Sequence, residues 1–334
     1  MDVNLSEFIQ YPIPINKINW VGQNLETRLK SFQSCFIGHP EVKQIIKHAI
    51  EKIDINSMTG RSDGMLVVGE SGSGKTVLTK FIEEVAIKKY GFTHPEKTIV
   101  PVLNFQLPDP CTPVEVCIAL LSALGDNRPR YGAKPEIFLR AKKLLKQCQV
   151  RLVLIDNFHD APTKRGLRNM GLVSGRIRDL MDASNALWIF LGTRDAVKVR
   201  NSDPQIVKRI PYLHALEYFS ITTQHKSKIF KRLIYELEKW IPLAGQSCLT
   251  DFRMLGNIYI ATEGILDRLF RLVEHAIANA VNDGREDLLR SDLENAFIFL
   301  LGPTENKSNP FSSEFRIRRL TEPGEPFEVL RGPI

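Results

Sequence analysis

Residues 65–76 read Met-Leu-Val-Val-Gly-Glu-Ser-Gly-Ser-Gly-Lys-Thr. An apolar run of strand length enters a complete G-x-x-x-x-G-K-T string, and an amphipathic stretch opens at Lys75. Strand, glycine-rich loop and helix in that order are what a phosphate cradle requires. Gly69, Gly72 and Gly74 let backbone N–H groups close around phosphate oxygens, with Glu70, Ser71 and Ser73 between them, and the helix N-terminus adds positive potential. Lys75 is the expected partner of the β- and γ-phosphates, and the Thr76 hydroxyl the expected ligand of Mg²⁺. The cofactors expected are therefore ATP and Mg²⁺. A glycine-rich turn with a chance lysine is the competing account, and the strand-to-helix context speaks against it.

A nucleotide site also needs a carboxylate on a neighbouring strand. Residues 152–156, Leu-Val-Leu-Ile-Asp, end an apolar run on Asp156, the expected second holder of Mg²⁺. The next position, where a Glu commonly orients the attacking water, is Asn157, followed by Phe158, His159 and Asp160. An amide orients water but takes no proton, so hydrolysis is expected to be slow, or Asp160 or His159 serves instead. A turn-capping Asp and a satisfied polar His are the structural alternatives for those two.

Outward from these two strings, short apolar runs at 65–68, 98–105, 150–155 and 187–191 alternate with helical patterns at 75–90, 113–124, 135–148 and 170–182. That alternation predicts an α/β fold on a largely parallel sheet. After residue 216 the strand signal fades, and 223–240, 249–261, 263–282 and 290–301 read as helices of a second domain. Residues 1–35 read as an extended N-terminal arm, and 303–334, with prolines at 303, 310, 323, 326 and 333, as a tail without a core of its own.

Composition limits the rest. The 334 residues are 43% apolar and 25% charged, ordinary for a globular chain long enough for two domains. No run approaches the roughly 20 apolar residues of a membrane span, and the first 30 residues show no signal-peptide core. Five scattered cysteines without a C-x-x-C pair read as reduced thiols of a cytoplasmic protein, not as a zinc site or disulfide frame. A net charge of +7 permits a polyanionic partner.

The order of motifs carries a resemblance. The P-loop is followed by IDNFHD at 155–160, FLGTRDA at 190–196, SDPQIVKRI at 202–210 and ATEGILDRLFRL at 261–272. Over residues 36–301 this resembles the TnsC/TniB family of AAA+ ATPases that regulate DNA transposition. The resemblance implies an AAA+ P-loop core over 36–215, a helical lid over 216–302, a bacterial cytoplasmic protein, and self-assembly into a ring or filament. It makes Thr193 sensor 1, Arg209 an arginine finger supplied in trans, and Arg268 sensor 2. It also sets Phe36, Ile37 and Gly38-His39-Pro40 where such proteins pack the adenine. The alternatives are a turn-capping hydroxyl, a surface arginine beside Lys208, an exposed helix face shared with Arg271, and a hydrophobic staple before a helix at 40–52.

Charge is uneven. Residues 126–151 hold eight Lys/Arg against two Asp/Glu, and 164–178 hold five Lys/Arg and no acid. A loop over 128–134 is able to follow a phosphate backbone without base preference. The resemblance implies that such loops line a channel around double-stranded DNA. Arg128, Arg130 and Lys134 are the first candidates for DNA contact, and Lys164, Arg165 and Arg168 the second; a solvated basic face is the alternative. The partners implied are non-specific duplex DNA, further copies of the chain, transposase subunits and a TniQ-type targeting protein. Two other functions stay open: an origin-recognition or clamp-loader-like ATPase, and a nucleotide-gated signalling switch that ignores DNA.

Overall fold

A computed structural model describes residues 12–14, 20–160, 167–302 and 306–328, without the side chains of residues 160, 167–170 and 306. The chain divides into two compact units. One takes Pro40–Glu217; the other joins the segment ending at His39 to residues from Tyr218 onward.

The first unit is a five-stranded parallel sheet between helices. Its strands are β1 (Gly64–Gly69), β2 (Val102–Gln106), β3 (Leu152–Asp156), β4 (Leu187–Gly192) and β5 (Tyr212–Leu216), in the order β2-β3-β4-β1-β5. Every pairing is parallel. β1 and β4 are buried along their whole length, as a parallel strand covered on both faces must be, which is why they read as unbroken apolar runs. Trp188 and Phe190 fill the space beside Leu66, Val153 and Ile155. β5 is an edge strand with exposed Leu213 and Ala215, and its Tyr-Leu-His-Ala-Leu pattern gives no apolar run to read.

The helices of this unit are numbered after α1 (Leu25–Gln33) of the other unit. They are α2 (Pro40–Thr59), α3 (Lys75–Tyr90), α4 (Pro113–Ala123), α5 (Lys134–Gln147), α6 (Leu167–Met181), α7 (Asp195–Asn201) and α8 (Pro204–Arg209). α4 shows why helices start where they do. Thr112 caps it by accepting from the Glu115 N–H at 3.3 Å, and Pro113 sits in the first turn, where no N–H is needed.

The second unit is helical: α1, α9 (Gln224–Glu238), α10 (Met254–Thr262), α11 (Leu266–Asn282) and α12 (Arg290–Leu301). The expectation of an extended arm over the first 35 residues is overturned at α1, capped by Asn24, whose side chain accepts from the Thr27 N–H at 2.8 Å. The buried Arg28 fastens this helix. It donates to both carboxylate oxygens of Glu286 at 2.6 and 2.8 Å, and to the carbonyls of Trp20 at 2.6 Å and Pro242 at 2.9 Å. Likewise 249–253 is not helical; the helix starts at Met254.

Residues 306–328 carry little regular structure, yet Phe311, Leu320 and Phe327 are buried in the core of the helical unit with Phe297, Leu293 and Ile277. Arg290 on α12 donates to the carbonyls of Phe311 and Ser312, both at 2.6 Å. Among the described residues, no helix is long and apolar enough to cross a membrane.

The segment's buried aromatics make a test. Phe311→Ala is expected to destabilise the helical unit by about 3–5 kcal/mol, the range for a buried Phe truncation. Urea unfolding followed by circular dichroism reads it, and an unmoved midpoint would show that residues 306–328 are not part of this core.

Candidate nucleotide site

β1, β4 and β3 lie side by side and all point the same way, so the loops after them gather at one end of the sheet. That end is where parallel α/β sheets bind ligands. It receives residues 69–76, Asp156–Asn157 and Thr193.

The loop after β1 turns through two left-handed glycines, Gly72 at φ +79° and Gly74 at φ +94°. Side chains rarely adopt that conformation, so the sequence has no freedom there. Gly69 is required for a different reason. A Cβ on it would fall on the Ser73 Oγ and lie 2.8 Å from the Leu216 carbonyl. The Ser73 hydroxyl is buried and, among the described residues, has no hydrogen-bond partner, although its backbone N–H is bonded to the Glu70 carbonyl at 3.2 Å.

Lys75 opens α3 and folds back into the loop, donating to the carbonyls of Gly69 at 2.5 Å and Glu70 at 3.0 Å. Burial pushes its pKa down, and the Asp156 and Glu70 carboxylates oppose that shift. The opposition shows that the strand-end carboxylate and the loop ammonium lie close enough to feel one another. Neutral carbonyls are weaker partners for an ammonium than charged phosphate oxygens. A tight loop with a buried orphan hydroxyl, a half-buried lysine and no room for a Cβ fits a polyphosphate. Thr76 follows Lys75 in the first turn of α3 and is exposed, so it and Asp156 are the residues that would hold Mg²⁺, which supplies charge neutralisation on the phosphates.

Asp156 accepts from the backbone N–H of Asn157 at 2.8 Å. Asn157 itself stands at φ +57°, a left-handed position that Asn tolerates better than most residues. Thr193, half-buried, ends β4 beside β3, and its backbone N–H donates to the His159 Nδ1 at 3.4 Å. That contact makes Nδ1 an acceptor and ties the turn Phe158–Asp160 to the end of β4. Gly192 is needed for the approach, because a Cβ there would lie 3.2 Å from the same nitrogen and 2.8 Å from the Ala196 Cβ.

Sequence reasoning missed Arg194. It is 71% exposed at the rim, 4.0 Å from Glu70 of the loop and 3.8 Å from Glu217 after β5. Exposed pairs of this kind contribute little stability, so its charge at the loop is what counts. Its place directly after Thr193 in the GTRDA string was the available signal.

Arg209 is not brought to this end of the sheet. Its carbonyl lies 3.0 Å from where a Cβ on Gly64 would stand, and Gly64 begins β1 whereas the loop follows its end. Its guanidinium is paired with Asp182 at 2.7 and 3.0 Å.

The helical unit carries the remaining site candidates. Phe36 is buried, Ile37 packs on that unit's core, and His39 meets Phe219 edge-on at 5.2 Å, with burial lowering its pKa to about 4. Arg268 lies in the first turn of α11 with its Cζ 4.6 Å from the centre of the Phe327 ring.

With the geometry in view, comparison decides the family. The family profile described as "Bacterial TniB protein" matches residues 29–218, more than half of the chain. The chain belongs to the TniB family. Its fold is that of the AAA+ ATPases, and this TniB-family chain is an AAA+ ATPase. Among solved structures it is similar to the Aeropyrum pernix ORC2 protein in its ADPNP–ADP complexes, at TM-score 0.55 and 14% identity, covering 83% of this chain and 72% of that one. It is also similar to the Aeropyrum pernix ORC1 protein in complex with DNA, at TM-score 0.55 and 14% identity over 80% and 65% of the two chains. Cdc6p from Pyrobaculum aerophilum gives TM-score 0.53 and 14% identity over 89% and 74%. At such identity these likenesses speak for the fold alone. No curated protein matches the chain.

Lys75→Ala is expected to abolish ATP binding, because it removes the one ammonium inside the loop. Equilibrium titration with a fluorescent ATP analogue reads this; retained affinity would show that the loop's N–H groups and Thr76 suffice.

Proposed function

We propose that this TniB-family ATPase binds duplex DNA in an ATP-dependent manner, assembles on it, and regulates transposition by linking a TniQ-type targeting protein to the transposase. The observation that carries the DNA part is the loop between α4 and α5. Arg140 of α5 organises it from within. Its guanidinium donates to the carbonyls of Tyr131 and Arg128, both at 2.9 Å, and of Pro129 at 3.1 Å, and pairs with Asp126 at 2.8 Å. The loop expected from sequence to bend along a phosphate backbone is therefore braced. It presents Arg128, Arg130, Tyr131 and Lys134 to solvent, with Arg130 in a double contact to Glu115 at 2.7 and 2.9 Å.

Glu115 lies in the first turn of α4, just after β2, so Arg130 returns the loop to the end of the sheet that carries the phosphate loop. Fixed cations on that end suit a backbone-reading, sequence-tolerant contact. Of the second cluster, Lys164 and Arg165 lie outside the described residues, and of Arg168 only the helical backbone is described. All three remain proposed DNA contacts.

In catalysis, Lys75 and the loop N–H groups would bind the phosphates, Thr76 and Asp156 would hold Mg²⁺, and Thr193 and Asn157 would orient water. Phosphoryl transfer draws mainly on such positioning and charge, so an amide in place of a base slows hydrolysis without stopping it. We assign Arg209 to a neighbouring copy's site, and Arg268 to nucleotide contact from the helical unit. A slow ATPase that stays on DNA until a transposase arrives would act as a timer.

Two outcomes test this reading. Retention on duplex DNA of unrelated sequence is expected to require ATP and to fall steeply with salt. Arg128→Ala/Arg130→Ala/Lys134→Ala is expected to cut the slope of log affinity against log salt by about one unit for each phosphate that the variant no longer neutralises. Retention that ignores ATP removes the nucleotide gate, and retention that ignores the triple substitution removes this loop as the DNA contact. Separately, Asn157→Glu is expected to raise ATP turnover and shorten the life of DNA complexes, at a backbone cost of about 1 kcal/mol for a Glu at positive φ. Turnover indifferent to Asn157→Glu but abolished by Asp160→Ala would instead make Asp160 the base and end the timer idea.

A further inference from the structure

We propose that the C-terminal segment 318–327 positions Arg268 for an anionic ligand, Arg319 by occupying Glu263 and Phe327 by carrying the guanidinium on its ring. The inference rests on the reading of Arg268 as a nucleotide contact and adds what keeps that arginine available.

Arg268 has two carboxylates at its own corner, Glu263 at the end of α10 and Asp267 one residue back, and both are engaged elsewhere. Arg319 holds Glu263 in a two-pronged contact at 2.7 and 3.3 Å, the geometry in which a guanidinium binds a carboxylate best. Arg271 takes Asp267 at 2.9 Å, one turn along α11. Arg268 is left against the face of Phe327, with its Nη1 buried and, among the described residues, without a hydrogen-bond partner. Burial pushes its pKa down, and Tyr218, Glu263 and Asp267 oppose that only through space. A guanidinium with one nitrogen shut off from water and, among the described residues, no carboxylate paired to it is costly to maintain, and an aromatic face returns only part of the loss. Such a group binds an incoming anion strongly, because no ion pair must be broken first.

The segment is built to hold this pose. Arg318 and Glu325 close it into a loop with contacts at 2.9 and 2.5 Å, and the Phe327 N–H donates to the Leu320 carbonyl at 3.0 Å. Leu320 and Phe327 are both buried. The α10–α11 corner it grips is equally constrained. Glu263 and Gly264 stand at φ +50° and +70°, and a Cβ on Gly264 would run into the Phe219 carbonyl. Glu263 is thereby held on Arg319 while its charge still bears on Arg268 through space.

The test uses the full chain, titrated with a fluorescent ATP analogue. Arg319→Ala frees Glu263 to pair with Arg268 and is expected to weaken ATP binding about tenfold, the factor carried by one hydrogen bond to a charged group. Adding Glu263→Gln removes the competing charge and is expected to restore most of the affinity, which a merely structural role for Arg319 would not produce. Phe327→Leu, which keeps an apolar side chain but removes the ring face, is expected to weaken binding a few-fold. Wild-type affinity in Arg319→Ala, or no rescue by Glu263→Gln, overturns the proposal. Arg268→Ala separates the two levels. If it leaves ATP binding unchanged, the reading of Arg268 itself fails; if it weakens binding while Arg319→Ala does not, only the positioning role fails.

Discussion

The site depends on one strand. β1 is six residues long, buried throughout, and hydrogen-bonded on both sides, to β4 and to β5. A strand so enclosed has no freedom to shift register, since a slip would move buried side chains to the opposite face. Its last residue, Gly69, therefore starts the phosphate loop at a fixed point, close enough to Ser73 and Leu216 that no side chain fits. The left-handed turns at Gly72 and Gly74 then aim the chain into α3. The rigidity of the cradle comes from the sheet, and the glycines only permit what the sheet imposes.

Much of this was legible in the residues because burial and chemistry leave strong marks. A covered parallel strand is an apolar run, and a phosphate loop is a spacing of glycines before Lys-Thr, so β1, β3, β4 and the loop could be read directly. What could not be read shares one cause: its stabilising partner is distant in the chain. α1 is held by Arg28 on Glu286, 258 residues away, and nothing in its own composition announces that bond. β5 is an edge strand reading Tyr-Leu-His-Ala-Leu, so the unbroken apolar run that marks a covered strand is absent. Residues 306–328 look structureless because Phe311, Leu320 and Phe327 are spaced for a core supplied by α11 and α12, not for a helix or strand of their own.

Charge shows the same division. The basic composition of 126–151 is plain in the sequence, but not that Arg140 turns inward. Of the cations there, one is spent on three backbone carbonyls and Asp126, and another, Arg130, leans on Glu115. Counting positive residues overstates what a polyanion would meet; the brace decides which of them face outward and how firmly. Asn157 is a comparable case. Its chemistry, an amide where a carboxylate is common, is visible in the sequence, whereas its left-handed backbone is not. The conformation supplies a physical reason for Asn at that position that is independent of catalysis.

Arg209 shows how far geometry within one chain can carry an argument about a second. Gly64 and Gly69 bound β1, and five strand steps of about 3.3 Å place them about 17 Å apart. Arg209 is fixed at the Gly64 end by its own backbone, and its guanidinium points to a partner at that end, Asp182 at the end of α6. No rotamer of an arginine spans the distance to the phosphate loop. If Arg209 acts on a phosphate at all, it acts on one bound by another copy, and the Asp182 pair must open first. That pair is about two-fifths exposed on each side, so it adds little to stability and opens at little cost. An arginine held loosely at the end of the sheet opposite its own phosphate loop suits a group whose partner arrives with assembly.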